Sequence, residues 1–195
     1  MKITIHQPDF LPWPGFFIRW SNSELLIIYD DAQFIKGGWQ NRDKILIGSN
    51  EYWLTVPILV KNKLGQLIKD VHINYNVKWQ IKHIKTLYNN YSKSKNFSNI
   101  IFIIEQAYSK KHKYLIDLNL NLLENLGEYL NINTPIKFSS DYELKSGRNN
   151  KLIDMLKIER AKTYISGTGS KAYLDEELFK TNNIKIVYQN HNYLK

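Results

Sequence analysis

The sequence predicts an α/β fold in which a mostly parallel sheet carries a β-hairpin excursion and a helical insertion. Three observations lead to this prediction. Strand and helix patterns alternate at both ends of the chain. Two β-branched segments flank the turn Gly48-Ser49-Asn50, which is typical of a hairpin. Between about residues 77 and 131 the apolar spacing changes from two to about 3.6, which indicates helices.

The first elements predict a Rossmann-like start of strand, helix and strand. Lys2 to Ile5 is a short β-branched strand that ends at the turn His6-Gln7-Pro8. A helix begins near Gly15, and Leu25 to Tyr29 is the next strand, stopped by Asp30-Asp31. The apolar face of the helix consists of Phe16, Phe17 and Trp20. Such a crossover implies that the two strands run parallel.

The next segment is predicted to be antiparallel. The strands Lys44 to Ile47 and Tyr52 to Ile58 are joined at Gly48-Ser49-Asn50. A lysine-rich loop containing Gly65 follows, and Ile68 to Ile73 is predicted to add a further strand.

Two amphipathic patterns and one apolar run predict helices in residues 77–131. The first pattern places on one helical face Val77, Ile81, Ile84, Tyr88 and Tyr91. The second pattern places on one face Leu115, Leu118, Leu122, Leu126 and Tyr129. Between them, Ile100 to Ile104 is apolar throughout, and we favour a helix because Glu105 to Tyr108 continues it.

The C-terminal part returns to alternating strands and helices. The predicted strands are Pro135 to Phe138, Thr163 to Ser166 and Ile184 to Tyr188, and the predicted helices are Lys151 to Ile158 and a short one at Leu174 to Phe179. No internal repeat or low-complexity linker divides the chain. The length of 195 residues favours a single domain over residues 1–195.

Composition excludes several classes of protein. The absence of cysteine excludes disulfides, thiolate catalysis and cysteine-ligated metals, and it is consistent with a reducing cytoplasm. No apolar run reaches the roughly 18 residues of a spanning helix, and no signal-peptide pattern opens the chain, so we expect a cytoplasmic protein. The 27 basic and 18 acidic residues give a net charge of +9. Because the lysines are scattered, we expect only weak, non-specific binding of polyanions.

Polar residues follow several predicted parallel strands, at the edge where such sheets bind ligands. In chain order they are His6 and Gln7, Asp30 and Asp31, Ser139 to Asp141, and Ser166, Gly167, Thr168 and Gly169, with Lys171 beyond. His6 titrates near neutrality, which suits a general base, whereas a lone histidine at a strand end is more often structural. The aspartates have the alternative of capping a turn. The Gly-containing segment is neither a Walker loop nor a GxGxxG fingerprint, and a plain turn is its alternative.

Two further groups combine aromatic and polar side chains. A Gly-Gly pair is followed by Trp39, Asn41 and Arg42. These residue types are suited to stacking on the ring of a ligand and to pairing with an anion. The alternative is that the tryptophan anchors the loop on the core. Trp79 and His83 lie one helical turn apart beside the first apolar face, so we expect packing first and binding second. Without an RNP-like or OB-like pattern, core packing is favoured over stacking on nucleic acid.

The opening segment Ile5-His6-Gln7-Pro8-Asp9-Phe10-Leu11-Pro12-Trp13-Pro14-Gly15-Phe16-Phe17 resembles the N-terminal signature of the WbqC-like proteins of bacteria. The resemblance continues in order through Tyr29-Asp30-Asp31-Ala32-Gln33-Phe34, Gly38-Trp39-Gln40-Asn41-Arg42, Trp53-Leu54-Thr55-Val56-Pro57, Trp79 with His83, Ser166-Gly167-Thr168-Gly169 and Tyr173-Leu174-Asp175. It departs from the family at Ser170, where a glycine is usual. The resemblance covers nearly the whole chain and implies that His6, Asp30, Trp39, Asn41 and Arg42 are site residues.

The WbqC-like family looks associated with O-antigen and other surface-polysaccharide gene clusters, and a glycine or aminoacyl transferase role has been suggested for it. The resemblance therefore implies transfer of an aminoacyl or similar acyl group to the amine or hydroxyl of a sugar or nucleotide-sugar. In this reaction His6 is the expected general base, and Asp30 orients His6 or the acceptor. Arg42 and Lys171 hold phosphate or carboxylate charge, whereas Lys63 is expected to be fully exposed and uninvolved.

Two alternatives stay open. The first is a non-catalytic nucleotide or nucleic-acid binding protein that uses the same crevice and the positive charge. The second is a nucleotidyltransferase of the HIGH type, which ranks last because the second histidine of that motif is missing. The sequence identifies no cofactor, no metal-ligand set and no oligomeric state. Because residues at strand ends contribute little packing, we expect His6→Ala and Asp30→Asn each to leave thermal stability nearly unchanged while removing turnover.

Overall fold

The computed structural model describes residues 1–59, 65–144 and 147–189 of the 195-residue chain, so the expected exposure of Lys63 lies outside the described residues. The chain forms two compact units. The first contains Met1–Gln7, Trp13–Asp30 and the described chain from Ile132 onwards, and the second contains Pro8–Pro12 and Asp31–Asn131. The single domain over residues 1–195 stays a prediction.

Strands and helices alternate along the chain as the α/β prediction requires. In chain order the elements are β1 (Lys2–His6), α1 (Pro14–Ser21), β2 (Leu25–Ile28), β3 (Arg42–Ile47), β4 (Asn50–Thr55), α2 (Trp79–Tyr91), α3 (Phe97–Ser109), α4 (Leu115–Tyr129), β5 (Ile136–Phe138), α5 (Arg148–Ile158), β6 (Thr163–Ser166), α6 (Glu176–Thr181) and β7 (Lys185–Tyr188). The α/β fold class is confirmed.

The first unit is built on a five-stranded sheet in the order β5-β2-β1-β6-β7. Every neighbouring pair is parallel, and His6 at the end of β1 lies opposite Ile28 at the end of β2. The chain therefore winds outward from β1 through β2 to β5 on one side and through β6 to β7 on the other. In open α/β sheets ligands bind beyond the carboxyl ends of the strands where the winding reverses. Here that point lies between β1 and β6.

The central strands of the first unit's sheet are apolar on both faces, and helices cover them. All four residues of β2 are buried, as expected for a parallel strand covered on both sides. One core combines Ile3, Ile5, Leu25 and Ile27 of the sheet with residues of α5 and Phe179 of α6. In α1, Pro14 occupies the first turn, where its missing N–H costs no hydrogen bond. The predicted face of α1, Phe16, Phe17 and Trp20, is buried.

The second unit combines the hairpin of β3 and β4 with the three helices α2, α3 and α4. The two strands pair antiparallel, with Ile47 opposite Asn50 at the turn, which confirms the hairpin excursion. The helices lie within the segment 77–131 that the apolar spacing indicated. The four leucines predicted for the face of α4 are buried, and Leu115, Leu118 and Leu122 belong to the core of this unit.

The predicted face of α2 is wrong in part: Ile84 and Tyr91 are partly buried against the core of this unit, whereas the other three predicted residues are exposed. The buried residues of this helix are Trp79, His83 and Leu87. Val77 precedes the helix, and Ile81 is 54% exposed; Tyr88 is exposed as well. Apolar side chains cover about half of the circumference of α2, which is wider than the buried face. Their spacing alone therefore does not fix which of them are buried, and the large Trp79 ring takes the core position.

The predicted strand Ile68 to Ile73 is also wrong. Ile68–Asp70 is a 3-10 helix, and only isolated bridges at His72 and Ile73 follow it. Ile68 and Val71 are both fully buried, and a single helical turn brings residues three apart to the same side. The last helix, predicted from Leu174, begins at Glu176 because the Asp175 side chain accepts a hydrogen bond from the Leu178 N–H at 3.1 Å.

Within residues 1–59, 65–144 and 147–189, no helix has the length and apolar character that crossing a membrane requires.

Candidate functional site

The carboxyl edge of the first unit's sheet brings together several of the predicted site residues. His6 ends β1, and Gln7 follows it. Asp30 lies two residues beyond the end of β2, and Ser166 ends β6. Because these strands are parallel neighbours, their carboxyl ends meet at one edge. The sequence-based expectation that these polar residues share an edge holds within the first unit.

The segment after β6 is a short 3-10 helix, Thr168–Ala172, whose first turn is partly exposed. Ser166 and Ser170 are buried, and their hydroxyl oxygens are 2.8 Å apart. The Ser170 hydroxyl donates to the Gly167 carbonyl at 2.7 Å, and its backbone N–H donates to the same oxygen at 3.1 Å. The two serines thus hold the turn, and Thr168, Gly169 and Lys171 face solvent.

A buried arginine lies directly beneath this turn. The Arg19 side chain is buried, and its Nη1 donates to Gln189 Oε1 at 2.9 Å. Gln189 in turn donates from Nε2 to the Gly15 carbonyl at 2.7 Å, and its backbone N–H donates to the Ser166 carbonyl at 2.9 Å. A β-carbon on residue 167 would lie 3.3 Å from Arg19 Nη1, so glycine permits this close approach. The positive charge of Arg19 therefore sits at the point where the winding reverses.

His6 lies in an environment that keeps its ring neutral. Its imidazole packs edge-on against Phe16 with ring centroids 5.0 Å apart. Burial, and secondly the positive charge of Arg19, lower the pKa of His6 to about 3. At neutral pH the ring is uncharged, so it can accept a hydrogen bond or a proton, although as a weak base.

Asp30 ties the end of β2 to the turn that follows β5. Its buried carboxylate accepts hydrogen bonds from the Ser139 hydroxyl at 3.0 Å, from the Ser140 N–H at 3.0 Å and from the Ser140 hydroxyl at 2.7 Å. The Asp30 N–H donates to the Ser139 hydroxyl at 3.1 Å. Ser139–Tyr142 is a 3-10 helix that opens with these two serines. These contacts give Asp30 a structural role, and its predicted catalytic role stays a prediction.

The second unit holds the other predicted residues, beginning with the partly buried Asp31. Trp39 is exposed, and its ring lies 5.3 Å from that of Trp53. Arg42 lies with its guanidinium carbon 4.1 Å from the centre of the Trp53 ring and donates to the Gly37 carbonyl. Asn41 is buried and donates from Nδ2 to the Val56 carbonyl at 3.0 Å.

Trp79 and His83 lie in the core of the second unit. Their rings are 5.3 Å apart, and His83 Nδ1 lies 3.0 Å from the Tyr108 hydroxyl oxygen. Burial is the main cause that lowers the pKa of His83 to about 4. This placement agrees with the packing role that was expected first, and a binding role for either residue stays a prediction. Among the described residues, no group of His, Asp and Glu side chains has an arrangement that would hold a metal ion.

Comparison with known proteins identifies the family. The model of the WbqC-like protein family matches residues 7–195. The chain belongs to the WbqC-like protein family. The resemblance found in the sequence motifs is thereby confirmed, and His6 directly precedes the matched residues.

A relative of this WbqC-like chain carries no assigned activity. It is "Uncharacterized protein Rv1507c" of Mycobacterium tuberculosis (strain ATCC 25618 / H37Rv), which is 33% identical over 188 residues, 96% of this chain and 81% of its own. No solved structure matches the chain.

Sequence reasoning did not select three side chains of this WbqC-like protein that lie beside the candidate site residues: Arg19, Gln189 and Trp53. Arg19 gave a signal, because a charged residue stands among Phe16, Phe17 and Trp20 on the predicted apolar face of α1. A buried charge at such a position is rare unless it has partners. Gln189 gave none, since only the fold brings it from beyond β7 to Arg19.

Proposed function

We propose that the chain is a transferase of surface-polysaccharide (O-antigen) biosynthesis that moves a glycyl, aminoacyl or similar acyl group to a sugar or nucleotide-sugar. Membership of the WbqC-like family supports this proposal through the association that the resemblance implies. The observation that carries it is the pairing of a neutral His6 with the buried cation Arg19 beside Gly167, at the carboxyl ends of β1 and β6.

Arg19 places a fixed positive charge at this edge of the sheet. A guanidinium stays protonated at any physiological pH and donates in a planar fork that suits carboxylate and phosphate groups. Gln189 holds it through a neutral amide, so the hydrogen bond does not cancel the charge. Lys171 adds a second, exposed cation, whose Nζ lies 4.8 Å from the centre of the Tyr188 ring. A substrate with phosphate or carboxylate groups is the ligand that these charges favour.

The proposed reaction joins the acceptor to the acyl carbon and releases the donor's leaving group. The acceptor's lone pair forms a bond to the carbonyl carbon, and the bond from that carbon to an ester oxygen or thioester sulfur breaks. His6 takes the acceptor's proton and passes it to the leaving group. No covalent enzyme intermediate is required, which agrees with the absence of cysteine.

The low basicity of His6 favours an amine as the acceptor. A hydroxyl must lose its proton as it attacks, and this step needs a base with a pKa near the working pH. An amine attacks with its own lone pair and becomes more acidic once the new bond forms, so it needs less help from a base than a hydroxyl does. Since the pKa of His6 is about 3, we favour an amino sugar over a hydroxyl acceptor.

The proposal is tested by following acyl transfer by mass spectrometry. The donors are glycyl-tRNA and a glycyl thioester, and the acceptors are a nucleotide-linked amino sugar and its N-acetylated form. We expect the free amine alone to gain the glycyl mass. His6→Gln should lower kcat by about 100-fold, because general base catalysis contributes at least that much. Arg19→Lys should raise KM, since lysine keeps the charge and loses the planar fork.

Arg148→Lys is the matched control, because Arg148 is an exposed arginine of the same unit that lies over Tyr173. Its kinetics should equal those of the wild type. The transferase proposal fails if the wild type transfers no acyl group from either donor, or if His6→Gln keeps full kcat while its melting temperature is unchanged.

A further inference from the structure

The outer face of the hairpin in the second unit displays two tryptophans in mutual contact. Trp53 on β4 is 42% exposed, and Trp39, from the loop before β3, is 49% exposed. Their ring centroids are 5.3 Å apart and the rings are inclined by 45°. Large aromatic side chains exposed next to each other are the usual sign of a binding surface rather than of packing.

The loop that presents Trp39 is fixed from beneath. The Trp39 carbonyl accepts a hydrogen bond from the Phe10 N–H at 3.0 Å. The next carbonyl, that of Gln40, accepts one from the buried Asn119 Nδ2 at 2.7 Å. A surface held in place before binding loses little conformational entropy when a ligand arrives. The exposed indole is therefore presented by a rigid support.

The spacing of the two rings determines how a ligand can contact them. A flat ring inserted between two others needs about 7 Å between their centroids, which is two van der Waals separations. Trp39 and Trp53 are closer than this and already touch. A ligand must therefore lie across their exposed faces, and the inclination suits a puckered ring with apolar C–H faces better than a planar base.

Polar groups of both kinds surround the aromatic surface. Lys44, directly across the strands from Trp53, has its Nζ 5.3 Å from the centre of the Trp53 ring and forms an ion pair with Glu51. Arg42 lies over the same ring. Hydrogen-bond donors and an acceptor therefore lie next to each other. The hydroxyl groups of a sugar can both accept from the donors and donate to the acceptor, whereas a phosphate chain can only accept and is repelled by Glu51.

We propose that the exposed face formed by Trp39 and Trp53, with Arg42, Lys44 and Glu51 at its rim, binds a pyranose ring of a saccharide. The apolar face of the sugar lies on the indoles, and its hydroxyl groups bond to Lys44 and Glu51. The proposal deepens the proposed function, on which it rests for the chemical class of the ligand, and adds Trp53, Lys44 and Glu51 to the candidate binding residues.

The test uses the full chain with 15N-labelled tryptophan, whose indole signals are assigned with Trp39→Phe and Trp53→Phe. The probes are N,N′-diacetylchitobiose, a trisaccharide of galacturonic acid and a short oligothymidylate. We expect at least one saccharide to shift the signals of Trp39 and Trp53 and to leave those of the buried Trp20 and Trp79 in place. Trp53→Ala should weaken saccharide binding by at least about tenfold.

Phe102→Ala is the matched control, because Phe102 is an aromatic residue of the same unit that is 60% exposed on α3. It should leave saccharide affinity unchanged. The proposal is overturned if no saccharide moves either indole signal at about 10 mM, a concentration well above the Kd of a weak complex. It is equally overturned if oligothymidylate moves both signals at physiological salt while the saccharides do not.

The measurement separates the two proposals. A wild type that binds saccharide at Trp39 and Trp53 but transfers no acyl group refutes the proposed reaction and supports the binding face. A wild type that transfers the acyl group, with Trp39→Ala and Trp53→Ala equally active and no indole shift, refutes the binding face alone.

Discussion

His83 illustrates what burial does to a histidine. Its ring lies between Trp79 and Tyr108, with centroid distances of 5.3 and 5.9 Å. The ring is nearly inaccessible to solvent, and this burial is the main cause that lowers its pKa to about 4. Near neutral pH the folded chain therefore keeps His83 uncharged, as a packed member of the core.

The lowered pKa of His83 predicts a loss of stability in mild acid. An unfolded histidine titrates near 6.5, so between about pH 6.5 and 4 the unfolded chain binds a proton that the folded chain does not. The free energy of unfolding should therefore fall as pH drops through this window, by up to about 1.4 kcal/mol per pH unit for this group. His83→Gln cannot bind the proton, so its free energy of unfolding, measured with urea at each pH, should change less steeply with pH.

We compare how steeply the free energy of unfolding changes with pH, and not its absolute value, because glutamine also changes the packing. Above pH 7, where histidine is neutral in both states, the two proteins should differ by a constant amount. Parallel stability curves from pH 7 down to 4.5 would show that His83 carries no linked proton. His6, with a folded pKa of about 3, contributes in the same direction and extends to lower pH.

At the scale of the element, the sequence predicted what depends on local patterns and missed what depends on distant contacts. The strands β1 and β6 match their β-branched runs within one residue, because a turn residue bounds each of them. The buried face of α2 was wrong in part because apolar side chains cover more of that helix than is buried, and the contact of Trp79 with Tyr108 on α3 helps to decide which of them face the core. Ile68–Asp70 became helical because two buried residues three apart must share a side.

The tie between β2 and the turn after β5 changes the expectation for Asp30. The sequence alone suggested that this strand-end residue contributes little to stability. In the structure its buried carboxylate accepts hydrogen bonds from the Ser139 and Ser140 hydroxyls and the Ser140 N–H. Asp30→Ala would leave these donors without their acceptor. Unsatisfied buried donors cost about 1–3 kcal/mol each.

We therefore predict that Asp30→Ala lowers the melting temperature by roughly 10 °C, the shift that about 3 kcal/mol produces in a chain of this size. The control is Glu124→Ala, which removes an exposed carboxylate from α4. This change should shift the melting temperature by no more than about 1–2 °C. Differential scanning calorimetry on the wild type and both variants measures the effect. Equal melting temperatures for all three would show that the hydrogen bonds of Asp30 contribute nothing to folding.

For the whole molecule, the topology explains which part of the candidate site the sequence could predict. Parallel strands align their carboxyl ends, so placing His6 and Ser166 at one edge needed only correct strand assignments. The chain leaves the first unit after β2 and returns to it before β5. Residues close in sequence, such as Asp30 and Asp31, thus belong to different units, while Gln189 meets Arg19 across the fold. The spacing of residues along the chain predicts neither the division between units nor the contact of Gln189 with Arg19.

The distribution of charge over the whole molecule favours the transferase over the alternative of a nucleic-acid binding protein. The net charge of +9 attracts polyanions. However, basic side chains are distributed over both units, and several are engaged locally: Lys44 with Glu51, Lys137 with Glu159 at 2.7 Å, and Lys113 over Tyr114. A protein that grips nucleic acid instead aligns many cations along one surface.

We predict that RNA and DNA bind weakly, without sequence preference, and that this binding disappears near physiological salt. Each phosphate that a protein neutralises contributes about 0.9 to the slope of log affinity against log salt on a duplex and about 0.7 on a single strand. Among the described residues, Arg19 and Lys171 are the cations that we assign to the candidate site, so the binding of a nucleotide-sugar should respond to salt with a slope of about two or less. Loosely held nucleic acid is released because salt screens the attraction. Filter binding across a salt series measures both slopes. Tight binding of RNA or DNA that persists at physiological ionic strength would favour the binding protein, because scattered lysines cannot produce it.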